Sequence, residues 1–201
     1  MKKYSVKHSM TSDIDWSEVP KLQINEVFDE PLFPFEAAAQ LCWTDSAIVV
    51  HMESVEPSIL ARFEGDYEMP CRDSCLEMFF SPMADDMKYF NFECNPNAAT
   101  FLGTGHDRYD LERLHPDNIK ELLSIRTEIK EKSWSLDFSF PAEFIKAYFP
   151  DFELKQGKIM HANFYRCADD GVPVCEMMWN KITNGNTDFH QPQFFGEIEL
   201  A

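Results

Sequence analysis

A two-residue alternation of apolar and polar side chains recurs along this chain and restricts its fold more than any other feature. In KYFNFECN, residues 88–95, the side chains of Phe90, Phe92 and Cys94 fall on one face of an extended strand. SWSLDFSF, residues 133–140, alternates in the same way. Because successive side chains of a β-strand point to opposite faces, both stretches are predicted to be strands with one face against a core.

Further strand patterns lie at residues 47–52, 75–80, 124–130, 158–167, 174–179 and 194–200. Only Glu131 and Lys132 separate 124–130 from 133–140, so these two strands are predicted to form a hairpin. Helical patterns are few and short, at 107–114, 117–123 and, after Pro141, up to residue 149. The predicted fold class is all-β: a two-sheet antiparallel β-sandwich of the immunoglobulin-like or jelly-roll type with a few short helices.

The length of 201 residues, without a Gly/Ser linker or an internal repeat, predicts a single domain over residues 1–201. Residues 103–123 are expected to be a loop or helical excursion from it. The net charge of −17 argues against binding to nucleic acid or to an anionic membrane surface and suits a neutral or cationic ligand.

The beginning of the chain, MKKYSVKHSMTSDIDW, lacks the apolar run of a signal peptide. A cytoplasmic location is therefore expected, or an extracellular or periplasmic one if a leader has been removed. The six cysteines are expected to be free thiols, because most lie in apolar strand patterns. Cys71 and Cys75 lack a second Cys or His pair at zinc-finger spacing, so no metal site is predicted.

The polar face of residues 88–95 is the first candidate for a ligand site. Tyr89, Asn91 and Glu93 are all able to make directed hydrogen bonds, whereas an ordinary wet strand favours Lys, Thr and Ser. A short turn joins this strand to CLEMFF, residues 75–80, so Glu77 is expected to lie beside Glu93. Such a carboxylate pair is a clamp for sugar hydroxyls, a cation site, an acid/base pair, or merely two solvated glutamates.

This candidate site is extended by three residues that come later in the chain. Arg166, at the end of a strand, is expected to face Glu77 and Glu93, although it shares the parity of Phe164. Trp179 precedes the polar loop NKITNGNTD and is interpreted as either a core residue or an exposed platform on which a sugar stacks. His190 closes that loop and is the candidate for a hydrogen bond to a ligand hydroxyl, or for locking the turn before Pro192.

An ordered set of segments resembles carbohydrate-binding module family 9, in its branch of stand-alone or xylanase-linked domains, over roughly residues 20–200. The segments are LCWTDSAIVV (41–50), RDSCLEMFFSP (72–82), YFNFECN (89–95), NFYR (163–166), Trp179 and FHQPQFFGEIEL (189–200). The resemblance implies a β-sandwich that binds the end of a sugar chain without cleaving it, in a context of glycan degradation. It also implies structural calcium as a candidate cofactor.

Carried over by position, Trp179 matches one of two sugar-stacking rings, and Glu77 matches a carboxylate that binds sugar hydroxyls. The chain departs from the family at two positions, where Cys71 replaces the second ring and Glu93 replaces a ligand arginine. Phe63, Tyr67 and Met69 are the candidates to supply the missing apolar face.

Three alternatives to a carbohydrate-binding domain remain open. One is a glycoside hydrolase that uses Glu77 and Glu93, since paired carboxyl groups perform this hydrolysis. A second is a haem-binding sandwich domain with axial ligands among its methionines and His51, His161 or His190. The third is a sandwich that binds a protein partner and whose polar face is plain surface.

Overall fold

The computed structural model describes residues 1–29, 35–65 and 68–201, and this part of the chain is mostly β-structure. The strands are β1 (Lys3–His8), β2 (Leu22–Gln23), β3 (Glu26–Val27), β4 (Glu36–Trp43), β5 (Ala47–Val55), β6 (Cys75–Ser81), β7 (Tyr89–Cys94), β8 (Thr100–Gly105), β9 (Glu112–Arg113), β10 (Arg126–Ile129), β11 (Ser133–Pro141), β12 (Ile159–Cys167), β13 (Met177–Met178) and β14 (Gly196–Leu200). The α-helices in these ranges are α1 (Ile119–Leu122) and α2 (Ala142–Tyr148). None of the helices described is long and apolar enough to span a membrane.

The hairpin predicted from the alternation of residues 124–140 is confirmed. β10 and β11 pair in antiparallel fashion, with Arg126 opposite Asp137 and Ile129 opposite Trp134. Helix α2 follows directly, and Pro141 precedes its first residue. Proline suits this position because its fixed φ angle is compatible with the first turn and no intrahelical donor is lost.

One curled sheet contains all the strands, in the main order β10-β11-β5-β4-β1-β14-β12-β6-β7-β8-β9. β1 joins the two halves of this sheet, of which the first runs from β10 to β4 and the second from β14 to β9 in the order given. Lys3 to Val6 pair with β14, whereas Lys7 and His8 pair with β4. Both pairings are parallel. The expectation of two strictly antiparallel sheets was therefore wrong in this respect, because the alternation within a strand carries no information on the direction of its neighbours.

The main core lies between the two halves of the sheet. Ring centroids of Phe92 and Phe138 are 4.3 Å apart, and those of Phe80 and Phe140 are 4.7 Å apart. β6 and β7 belong to one half and β11 to the other, so these contacts join the inner faces of the sheet. Each buried aromatic side chain contributes about 1.5–3 kcal/mol through removal of its apolar surface from water.

A second, smaller core covers the outer face of β6, β7 and β12. It contains Phe79, Tyr89 and Tyr165 from these strands and Phe189 and Phe195 from the chain after β13. β6 and β7 are consequently buried along their whole length, on both faces. This second core supports the chain after β13 against the sheet, and the candidate site lies beside it.

Two stretches differ in detail from their expected structure. Residues 103–123 include the end of β8, the short strand β9 that pairs with it, and helix α1. Of the strand expected at 174–179, only Met177 and Met178 form a ladder, with β12 on one side and β3 on the other.

Candidate functional site

A pocket with a volume of about 280 Å³ opens on the outer face of β6, β7 and β8. Its floor is formed by strand residues, and its rim by the loops that follow β8, β12 and β13. The residues that line it are Met69, Cys71, Glu77, Phe79, Asn91, Glu93, Phe101, Arg108, Leu111, Cys167, Asp169, Glu176, Thr187, Phe189 and His190.

Glu77 and Glu93 lie on this floor and stand directly opposite each other in the β6–β7 ladder, as the alternation predicted. Both are buried, with 2% and 8% of their surface exposed. Burial raises the pKa of Glu93 to about 7. Burial, and secondarily the charge of Glu93, raises the pKa of Glu77 well above its ordinary value. Like charges opposite each other in a ladder are destabilising unless a ligand, a proton or a cation offsets them.

Asn91 occupies the same face of β7, between Glu93 and Tyr89. It is 1% exposed, and neither its Oδ1 nor its Nδ2 atom makes a hydrogen bond of good geometry within the described residues, although its amide is near enough to Glu93 to offset part of the rise in the pKa of that carboxyl. A buried amide without partners costs about 1–3 kcal/mol, so a polar ligand atom would be stabilised at this place in the pocket wall.

Tyr89 and His190 form one polar pair at the edge of the pocket. The Tyr89 hydroxyl lies 2.7 Å from His190 Nδ1. Tyr89 itself is fully buried, so its role is to orient the imidazole, which lines the pocket. Burial, together with the charge of Arg108, lowers the pKa of His190 to about 4. The imidazole is therefore neutral at physiological pH, with one nitrogen free to act as a hydrogen-bond donor or acceptor.

Arg166 does not join this cluster, and the expectation that it faces Glu77 and Glu93 was wrong. Its side chain points into the main core, where its guanidinium lies 2.5 Å from Glu56 and donates to the Cys175 carbonyl oxygen at 2.9 Å. The reason is strand parity: Arg166 has the orientation of Phe164, and the β12–β6 ladder keeps one register up to Cys167.

Trp179 is a core residue, and its interpretation as an exposed sugar-stacking platform was wrong. It is 4% exposed, belongs to the main core and packs edge-to-face on Phe164 with ring centroids 5.9 Å apart. It is not among the residues that line the pocket. The polar loop that follows Trp179 does not uncover the ring, because the neighbouring strand β14 begins with Gly196, whose missing side chain leaves room for the indole.

The aromatic walls come instead from Phe101 and Phe189, which sequence reasoning missed. Phe101 stands opposite Glu93 in the β7–β8 ladder. Phe189 stacks on Tyr165 with ring centroids 4.1 Å apart. Phe101 is adjacent to the core residue Leu102 on β8 and therefore points to the opposite face, whereas only the fold brings Phe189 to the pocket.

An ion pair joins the two loops at the rim. Arg108, after β8, contacts Asp188, after β13, at 2.7 Å. Asp188 also accepts the backbone N–H of His190, at 3.1 Å. The loop before β14 is thereby held over the pocket at the place where His190 enters it.

The sulfur-containing residues also meet at this face. Cys71 and Met69 line the pocket, so Met69 supplies part of the apolar face for which Phe63 and Tyr67 were the other candidates. Phe63 is not among the lining residues, and Tyr67 lies outside the described residues. All six cysteines carry free thiols.

Cys75, Glu77 and Cys167 form a buried group whose potential ligand atoms all lie within 4.8 Å of one another. It is the one such group of His, Cys, Asp and Glu in the described part of the chain. Two of its three donor atoms are sulfur, which does not suit the oxygen-preferring Ca²⁺.

The histidines suggested as haem ligands are dispersed. Nδ1 of His51 lies 2.8 Å from Asp137, and its ring stacks on Trp16, on the first half of the sheet. His190 is held by Tyr89 on the second half. These contacts give each ring a structural partner of its own and do not assemble a pair of axial ligands from these two histidines.

Comparison with known proteins agrees with the geometry. The sequence profile of carbohydrate-binding family 9 matches residues 8–200. Among solved structures, a proposed carbohydrate-binding protein from Bacteroides uniformis is similar over 100% of this chain and 99% of its own, with 24% identity and a TM-score of 0.85.

Two further structures are of a family 9 carbohydrate-binding module from Caldicellulosiruptor kristjanssonii. The complex with glucose covers 100% of this chain and 96% of its own (16% identity, TM-score 0.70). The complex with cellotriose covers 99% and 93% (16% identity, TM-score 0.69). No curated protein matches the sequence.

The profile match extends over nearly the whole chain, and it includes the strands that form the pocket floor. Non-catalytic carbohydrate binding is the function that this match supports. The chain belongs to carbohydrate-binding family 9.

Proposed function

We propose that the outer-face pocket binds the end of a carbohydrate chain and does not cleave it. The observation that carries this proposal is Asn91, whose buried amide lines the pocket without a hydrogen bond of good geometry in the described residues. Its two N–H donors and its carbonyl acceptor match vicinal hydroxyl groups, each of which donates and accepts. Glu93, on the same strand, and His190, on the rim, extend the row of polar atoms.

The shape of the pocket supports an end rather than the middle of a chain. Its volume of about 280 Å³ lies at the lower limit for small-molecule sites, which suits one sugar unit. Phe101 and Phe189 provide apolar surface for the C–H groups of a sugar ring, and the hydroxyls remain for the polar floor. The glucose and cellotriose complexes of the similar structures support the same class of ligand.

Calorimetry with glucose, xylose, cellobiose and cellotriose tests the proposal. We expect binding in the range of about 0.1–1 mM, or about −4 to −5.5 kcal/mol, because hydroxyl groups mostly exchange water for protein partners. Asn91→Leu removes the unpaired amide while keeping a similar volume. It should weaken binding at least tenfold and leave the free energy of unfolding equal or higher.

Glu128→Gln, on the exposed face of β10, is the matched control and should bind like the wild type. Failure of all four sugars to bind, or full affinity in Asn91→Leu, would contradict the proposal. The same cellotriose samples, analysed by chromatography after incubation, test the hydrolase alternative. Release of glucose or cellobiose that Glu77→Gln and Glu93→Gln abolish would establish that alternative instead.

The finer expectations from the sequence stay predictions. They concern the jelly-roll or immunoglobulin-like type of the sandwich, the association with xylanases, calcium as a candidate cofactor and the cytoplasmic location. Calorimetry in the presence of calcium and of a chelator addresses the third, and localisation of a tagged full-length protein addresses the last.

A further inference from the structure

The group formed by Cys75, Glu77 and Cys167 results from two neighbouring strands. Cys75 and Glu77 are two residues apart on β6 and therefore share its outer face. Cys167 stands directly opposite Cys75 in the β6–β12 ladder. Its thiol lies 2.9 Å from Glu77 Oε1 and 3.7 Å from the Cys71 carbonyl oxygen. All three residues are at most 2% exposed.

The spacing of these donor atoms matches the size of a metal ion. Zinc binds thiolate sulfur at about 2.3 Å and carboxylate oxygen at about 2.0–2.2 Å, so its ligand atoms in a tetrahedral site lie roughly 3.5–3.8 Å apart. The three donor atoms all lie within 4.8 Å of one another. Oε1 of Glu77 lies closer to the Cys167 sulfur than two ligands of one ion would lie to each other. A small rotation of the Glu77 side chain is therefore enough to bring the two atoms to ligand spacing.

The charges around the group also favour a cation. Glu77 faces Glu93 across the ladder, and Asp169 lies on the same pocket wall. The ion pairs seen in the described ranges do not include Glu77, and the charges of Arg108 and Arg113 offset that of Glu93 only in part, since Arg108 is paired with Asp188. A divalent cation at this place would offset the repulsion between the buried carboxylates.

We propose that Cys75, Cys167 and Glu77 bind one Zn²⁺ ion in the floor of the pocket. Two thiolates and one carboxylate select Zn²⁺ over Ca²⁺ or Mg²⁺. Binding releases both thiol protons to the solvent and involves no redox step. Glu77 and Cys167 line the pocket, which gives the ion an entry path. Cys71 and Asp169 line the same pocket. The proposal does not depend on sugar binding.

Metal titration of the purified, reduced and metal-free protein is the test. We expect one Zn²⁺ per chain, and with Co²⁺ an absorption band from thiolate-to-metal charge transfer. Cys75→Ser and Cys167→Ser should each weaken Zn²⁺ binding by about 100-fold or more, because a hydroxyl is a poor substitute for a thiolate. Cys42→Ser, a buried cysteine on β4 in the other half of the sheet, is the matched control and should retain full affinity.

Thiol footprinting of the wild type covers the case in which a variant does not fold. Zn²⁺ should slow alkylation of Cys75 and Cys167 during partial unfolding and leave Cys42 unchanged. Absence of Zn²⁺ binding, equal loss in the Cys42 control, or a Cys75–Cys167 disulfide in the protein isolated without reductant would each overturn the proposal. Sugar binding measured in metal-free buffer separates this outcome from failure of the carbohydrate site.

Discussion

Replacement of Arg166 by alanine is expected to destabilise the protein strongly, because it leaves the buried carboxylate of Glu56 without its cation. Glu56 is 1% exposed and accepts hydrogen bonds from Ser54 at 2.9 Å, Ser74 at 2.7 Å and Trp134 Nε1 at 2.7 Å. Arg166 is the one cation paired with it in the described residues.

The magnitude follows from burial. Removing one partner of a buried ion pair costs about 3–5 kcal/mol, since the remaining charge stays desolvated. Arg166 also donates to the Cys175 carbonyl oxygen, and its guanidinium stacks over Phe35 with its central carbon 4.3 Å from the ring centroid. These contacts place the expected loss at the upper end of that range. Arg72→Ala, which breaks a half-exposed pair with Asp170, is the control and should cost about 0–1 kcal/mol.

Urea denaturation at neutral pH, followed by tryptophan fluorescence and circular dichroism, measures these free energies. A double-mutant cycle with Glu56→Gln isolates the interaction between the two side chains. The double variant should be more stable than the sum of the single losses predicts, by about 1–3 kcal/mol. The assignment of Arg166 and Glu56 as a buried charge pair would be refuted by either of two results. One is a loss of unfolding free energy in Arg166→Ala no larger than that in Arg72→Ala, and the other is additive effects in the cycle.

The other predictions concern the second half of the sheet. Trp179→Ala should cost about 3–5 kcal/mol in urea denaturation, whereas Trp179→Phe should fold and bind sugar like the wild type; reduced sugar affinity in a folded Trp179→Phe would contradict the core assignment. Gly196→Ala should cost about 1–3 kcal/mol, because its Cβ would lie 2.3 Å from Trp179 Cζ3, and wild-type stability would argue against this packing. His190 should titrate near pH 4 by NMR. Because the pKa of His190 is lower in the folded protein, this residue takes up its proton first in the unfolded chain as the pH falls. Its contribution to the free energy of unfolding is therefore complete above about pH 6.5 and falls by at most about 3 kcal/mol as the pH approaches 4. The difference in stability between the wild type and His190→Gln should show the same dependence on pH.

Local patterns predicted the strands and the faces of their side chains. The alternation of residues 88–95 placed Phe92 in the main core and Asn91 and Glu93 on the opposite face, and the short connection from β6 put Glu77 opposite Glu93. These features depend on neighbours in the chain and on the two-residue period, both of which can be read directly.

Other parts of the site depend on contacts between distant segments. Cys75 and Cys167 are opposite each other only because β12 inserts between β6 and β14, which spacing along the chain does not reveal. Trp179 is covered because Gly196 lies beneath its ring. For Arg166, by contrast, the parity with Phe164 pointed to the core, and this signal outweighed the attraction of the nearby glutamates.

The position of β1 has a consequence for how the chain folds. Among the described strands, β1 is synthesised first, yet one of its partners, β14, is synthesised last. The joint between the two halves therefore cannot close until nearly the whole chain is present, and it closes a loop of almost the full length. Such distant pairing slows folding and makes it depend on late contacts. We expect each half to hold a hydrophobic inner face exposed until that moment, so that association of incomplete chains competes with the final closure.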